Sequence, residues 1–143
     1  MLDPRGDTGV YLLYAFVRIN SVINKSKYGA PEDLAKSKAE GAQFKITNDI
    51  EKELALTVLR LPEQLDLAVN NLQVKQICEH TYDMATKISE FWQKCKVHNS
   101  EEELSRILLL DTCRKVMAKS FDLLGIKTID KIWVFLNALV NSK

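Results

Sequence analysis

Residues 74–96 read VKQICEHTYDMATKISEFWQKCK, and their periodicity decides the fold class. Ile77, Thr81, Met84, Ile88, Phe91 and Cys95 recur every three or four residues, so at 3.6 residues per turn they share one stripe of a helix. Lys, Gln and Glu populate the other sides, and neither Gly nor Pro interrupts. The spacing predicts one helix from Val74 to Lys96. Its apolar stripe can only be buried against other helices or a sheet, and no sheet pattern accompanies it.

The rest of the chain repeats the helical period. Five Gly and three Pro in 143 residues leave few turns, which disfavours many short strands. From Val10 to Ile23 nearly every residue is apolar, with Leu12, Phe16, Ile19 and Ile23 at helical spacing, so this helix is expected at the centre. Asp7 or Thr8 can cap it. Pro31 suits the first turn of a short peripheral helix running to about Glu40. Asn48 followed by Glu51 reads as a capping box before Ile50, Leu54, Val58 and Leu61. Pro62 breaks or restarts that helix, and Leu65, Val69 and Leu72 carry the period on. Ser100 followed by Glu103 reads as a second capping box, with three glutamates in the first turn of a helix that Gly125 ends. Ile129, Ile132, Trp133, Leu136 and Val140 predict a last amphipathic helix. The expected architecture is an all-α antiparallel helix bundle over residues 1–131, with an amphipathic extension over 132–143.

Composition excludes several function classes. Twenty basic and nineteen acidic residues give a net charge of +1, so any nucleic-acid partner must be held by local patches and stacking. Cys78, Cys95 and Cys113 are odd in number and lack CxxC spacing, which argues for reduced thiols in an intracellular, cytoplasmic protein. No apolar run approaches the ~20 residues of a membrane span. His80 and His98 have no second ligand or nucleophile at useful spacing, and no Gly-rich phosphate loop exists. Neither a catalytic residue nor a metal site is expected.

Four stretches carry a family resemblance: GDTGVYLLYAFVRI at 6–19, LPEQL at 61–65, YDMATKISEFW at 82–92 and LLDTCRKVMAKSFDLLGI at 109–126. In that order they resemble the anticodon-binding domain of class I aminoacyl-tRNA synthetases, the arginyl enzymes specifically. The last stretch keeps Asp111 and Arg114 of the family's Asp-Ala-Leu-Arg helix but not the middle pair. The resemblance implies a helical bundle that binds the anticodon loop of arginine tRNA, with no DNA and no membrane partner. It also implies that ATP belongs to a catalytic part outside this segment. The family's His-Ile-Gly-His motif is absent, and VMAKS at 116–120 only partly matches its ATP-gripping loop.

Through that resemblance Tyr11 and Tyr14 match tyrosines presented near the anticodon loop. With Arg18 they lie at i, i+3 and i+7, one continuous helix face. Core packing, with only the hydroxyls at the surface, is the other reading of both tyrosines. Trp92 falls where the family usually carries a Tyr, keeping a stacking face but losing the phenolic hydroxyl; a core Trp is its alternative. Lys115 and Lys119, one turn apart, could follow a phosphate backbone or line a solvated face. Asp111, Arg114 and Gly125 are given structural roles. The family's chain end corresponds to about Ile132, and here WVFLNALVNSK follows. A second reading is therefore a helical protein–protein interaction module that docks through residues 126–143.

Overall fold

The computed structural model describes residues 9–39, 41 and 45–128. Among these residues lie six helices and no strand: α1 Gly9–Lys25, α2 Pro31–Ala39, α3 Asp49–Leu59, α4 Leu61–Asn70, α5 Lys75–Lys94 and α6 Glu103–Leu123. The predicted cap at Asp7 or Thr8 and the predicted helix from Ile129 lie outside the described residues.

The α5 stripe is buried as its period requires: Ile77, Thr81, Met84, Ile88, Phe91 and Cys95 are all in the interior. So are Leu12, Phe16, Ile19 and Ile23 of α1. From α6 come Ile107, Leu110, Met117 and Phe121, and from α3 Leu54. Helix α5 packs on α1, α3, α4 and α6 and forms the spine of the bundle. Helix α2 touches the core chiefly through Leu34. It stays peripheral.

Helix directions decide which side chains meet. Glu53 pairs with Lys87 while Asn48 reaches Cys95, so α3 and α5 run antiparallel. Tyr11 meets Tyr82 and Ser89, and Arg18, two turns on, meets Trp92. Helices α1 and α5 therefore run parallel, as α3 and α6 do where Glu51 meets Arg106 and Ala55 and Val58 lie beside Leu109 and Thr112. Between α1 and α2, Gly29 approaches Asn24 so closely that a Cβ would stand 2.7 Å from its carbonyl oxygen.

The helix ends obey the sequence expectations in part and correct them in three places. Asn48 Oδ1 accepts from Glu51 N–H at 2.9 Å, as in a capping box. Glu51 does not reach back to Asn48; its Oε2 accepts from Thr47 N–H at 2.7 Å, one residue earlier. At α6 no Ser100 cap forms. Ser100 Oγ donates to the Val97 carbonyl, and the helix begins at Glu103, the one glutamate in its first turn. Glu103 is buried and accepts from Asn99 N–H at 2.9 Å, so its carboxylate closes the preceding loop instead.

Leu72 is the third correction. The period predicts it on the inner stripe with Leu65 and Val69, yet Leu72 is 91% and Val69 70% exposed. Helix α4 has already ended, and Leu72 sits at φ 51° in the left-handed residue of its C-terminal turn. Gln73 N–H bonds to the Ala68 carbonyl and Leu72 N–H to that of Val69, the two bonds of a Schellman motif. Gly125 ends α6 in the same way at φ 70°, with Ile126 N–H on the Phe121 carbonyl.

Candidate nucleic-acid interface

Parallel α1 and α5 set two side-chain rows next to each other. From α1 come Tyr11, Tyr14 and Arg18; from α5 come Tyr82, Ser89 and Trp92, spaced so that they too share a face. Tyr11 is half-buried, and its hydroxyl lies 3.1 Å from Ser89 Oγ and 3.5 Å from the Ala85 carbonyl. Its ring tilts 47° against Tyr82, with centroids 5.6 Å apart. Tyr14, one turn further on, is 49% exposed, which is ample ring for a ligand to cover.

Arg18 is exposed, and its guanidinium carbon stands 5.4 Å from the Trp92 ring centroid. Such a cation over an indole face contributes about 0.5–2 kcal/mol. Trp92 is half-buried and meets Phe91 edge-on at 5.5 Å and 70°. Its indole Nε1 is buried without a hydrogen-bond partner among the described residues. The indole is thus anchored by its edge, while the Arg18 guanidinium lies over its ring. What results is a strip of four aromatic rings with one cation, open along the α1–α5 edge.

Sequence reasoning singled out Tyr11, Tyr14, Arg18 and Trp92, and the structure brings these four to one strip. It missed Tyr82 and Ser89, although the seven residues from Tyr82 to Ser89 and the three from Ser89 to Trp92 place all of them on one face of α5. Lys115 and Lys119 lie elsewhere, on the outer face of α6 with Thr112 and Asp122. Each meets a carboxylate: Lys115 Nζ is 3.0 Å from Asp111 Oδ2, and Lys119 Nζ is 3.3 Å from Asp122 Oδ2. Asp111 is only 1% exposed and also accepts from Arg114 Nη2. Phosphate contact at Lys115 must compete with the Asp111 carboxylate.

No group of three or more His, Cys, Asp or Glu that could hold a metal exists among the described residues. His80 Nε2 bonds the Thr57 carbonyl at 2.8 Å inside the α3–α5 contact. The VMAKS stretch lies within α6, so it forms no mobile loop. No helix among the described residues is long and apolar enough to cross a membrane.

Comparison with known proteins gives one consistent result. Residues 12–132 match the family model of the DALR anticodon binding domain. The cytoplasmic arginine–tRNA ligase of Xenopus tropicalis is 36% identical over 140 residues, covering 92% of this chain and 21% of that protein. The chloroplastic/mitochondrial arginine–tRNA ligase of Arabidopsis thaliana is 39% identical over 132 residues, covering 92% and 20%. Among solved structures, arginyl-tRNA synthetase from Plasmodium falciparum superposes with a TM-score of 0.77 at 33% identity, covering 91% of this chain and 22% of that one. That of Thermus thermophilus, at 24% identity and a TM-score of 0.70, shares the fold. The chain spans about a fifth of the length of the curated relatives it matches.

Proposed function

Because the chain belongs to the DALR anticodon binding domain family, we propose that it is the tRNA-reading part of an arginine–tRNA ligase and holds the anticodon loop along the α1–α5 edge. The observation that carries this reading is the pairing of Tyr11 with Tyr82 and of Arg18 with Trp92, with the exposed Tyr14 ring on the same side of α1. Unpaired bases of an RNA loop are recognised by stacking on aromatic rings and guanidinium planes and by hydrogen bonds to their edges. Each stacked base contributes about 1–3 kcal/mol, so two or three of them give useful affinity on a chain of net charge +1.

Tyr14 offers an exposed ring, and Arg18, resting on Trp92, offers a planar cation. Tyr11 is the more constrained of the two tyrosines because Ser89 holds its hydroxyl. Trp92 can serve a base directly only if Arg18 swings away from its face. The lysines of α6 are secondary, as phosphate contacts reached after the loop is seated.

In a ligase of this kind, attachment of arginine to tRNA at the expense of ATP falls to a part outside this chain, and this part selects the tRNA. A cytosolic setting agrees with the cytoplasmic relatives, and organellar relatives match as well. Filter or fluorescence titration of the chain with arginine tRNA and with an unrelated tRNA tests the reading. Tighter binding of the arginine tRNA, weakened by Tyr14→Ala, is expected. Equal and wholly salt-dependent binding to both tRNAs overturns it.

A further inference from the structure

We propose, resting on the reading of the α1–α5 edge as an RNA surface, that the bound strand runs on toward the C-terminal end of α1. There its backbone phosphates are held by Lys25 and Lys27, with the Ser21 hydroxyl between Arg18 and Lys25. Tyr14, Arg18, Ser21 and Lys25 lie at i, i+4, i+7 and i+11, so they form one row along the helix, and all four are exposed. Phe16, Ile19 and Ile23 are buried on the opposite side of the same turns and hold that row in place. From Arg18 to Lys25 the helix rises about 10 Å, roughly the length of three stacked nucleotides. Lys27 is exposed in the turn that follows, where its backbone N–H donates to the buried Glu103 carboxylate at 3.5 Å.

The distribution of charge favours this course. Helix α1 contains no carboxylate, and the Lys25 and Lys27 ammonium groups have no ion-pair partner among the described residues. Asp83 and Glu90 stand about 160–180° around α5 from Trp92, away from the strip. The α6 lysines differ, since Lys115 lies 3.0 Å from the Asp111 carboxylate and Lys119 3.3 Å from that of Asp122. A phosphate arriving there must displace a carboxylate; at Lys25 it displaces only water and a counterion. A lysine in the last turn of a helix also complements the negative end of the helix dipole. That interaction leaves the three donors of its ammonium available to phosphate oxygens.

Titration of the full chain with arginine tRNA at salt concentrations between about 0.05 and 0.3 M reads these contacts as a log–log slope. Lys25→Ala is expected to lower the slope by about 0.7 and to weaken binding about five-fold at about 0.1 M salt. Lys27→Ala should act alike, and Lys25→Arg should keep the parent slope. The preference for arginine tRNA over an unrelated tRNA should survive Lys25→Ala, because phosphate contacts carry no sequence information directly. Lys52 is an equally exposed lysine on α3, and Lys52→Ala should leave the slope at the parent value. An unchanged slope in Lys25→Ala overturns the proposal, and so does an equal fall in Lys25→Ala and Lys52→Ala. A parent chain that binds both tRNAs equally refutes base reading by the strip, while the slope in Lys25→Ala still decides whether the backbone lies along α1.

Discussion

Glu51 is 2% exposed and keeps its charge. Burial alone would raise its carboxyl, but two hydrogen bonds from Thr47 and the Arg106 guanidinium outweigh that and hold it below the ordinary 4.5. Arg106 Nε stands 2.7 Å from Glu51 Oε1, and Nη1 also donates to the Lys96 carbonyl at 2.8 Å, so one side chain ties α3, the α5–α6 loop and α6. A carboxylate with a lowered folded pKa adds stability above its unfolded pKa and loses it as pH falls through the folded value. The urea midpoint should therefore drop on acidification below about pH 4.5, and Glu51→Gln should show a flatter dependence there. Arg106→Ala leaves the buried carboxylate without its cation and should cost about 3 kcal/mol in chemical denaturation. Tyr14 behaves differently: its exposed ring supports little of the core. Tyr14→Ala should leave stability unchanged and weaken arginine-tRNA binding about 10- to 100-fold, measured by titration.

Helices α4 and α6 close with the same hydrogen-bonding pattern but different residues in the left-handed position. Gly125 occupies it at φ 70° without cost, and nothing among the described residues lies within 4 Å of where a Cβ would stand. Gly125→Ala should thus lose about 1 kcal/mol from backbone conformation alone, with no clash to relieve. Leu72 takes the corresponding place at φ 51° with its side chain in solvent. Leu72→Gly should raise stability by about 0.5–1 kcal/mol, a Tm increase of ~2–4 °C by calorimetry. Opposite signs at two equivalent turns would establish that the caps, not side-chain contacts, set both effects.

Across the whole bundle, charge is nearly balanced and the aromatic strip carries Arg18 as its cation among the described residues. Binding dominated by stacking releases few counterions. The affinity for arginine tRNA should fall with a log–log salt slope of only about one to two, against roughly 0.7 for each phosphate held on a single strand. A slope of about five or more would need about seven phosphate contacts and would count against stacking as the main source of affinity. The α5 spine also explains why the strip is firm: Ser89 and Trp92 belong to the same helix whose other side is locked in the core by Met84, Ile88 and Phe91.

The amino-acid sequence by itself determined the helices, the inner stripes of α1 and α5, the glycine stop of α6 and the resemblance that names the family, because periodicity and chain-local turn chemistry are written along the chain. It also marked Tyr11, Tyr14 and Arg18 as one face. Only the tertiary structure decided that α1 and α5 run parallel, since direction depends on how the intervening helices return the chain. That direction brings Tyr82 beside Tyr11 and Arg18 over Trp92, while the outer face of α6 keeps Lys115 and Lys119 with their carboxylates. It likewise decided that Leu72 points to water and that Glu103 closes a loop rather than completing a cap, because both depend on where α4 stops and α6 starts in space. A helical period continues past a helix end on paper; only the backbone's turn ends it.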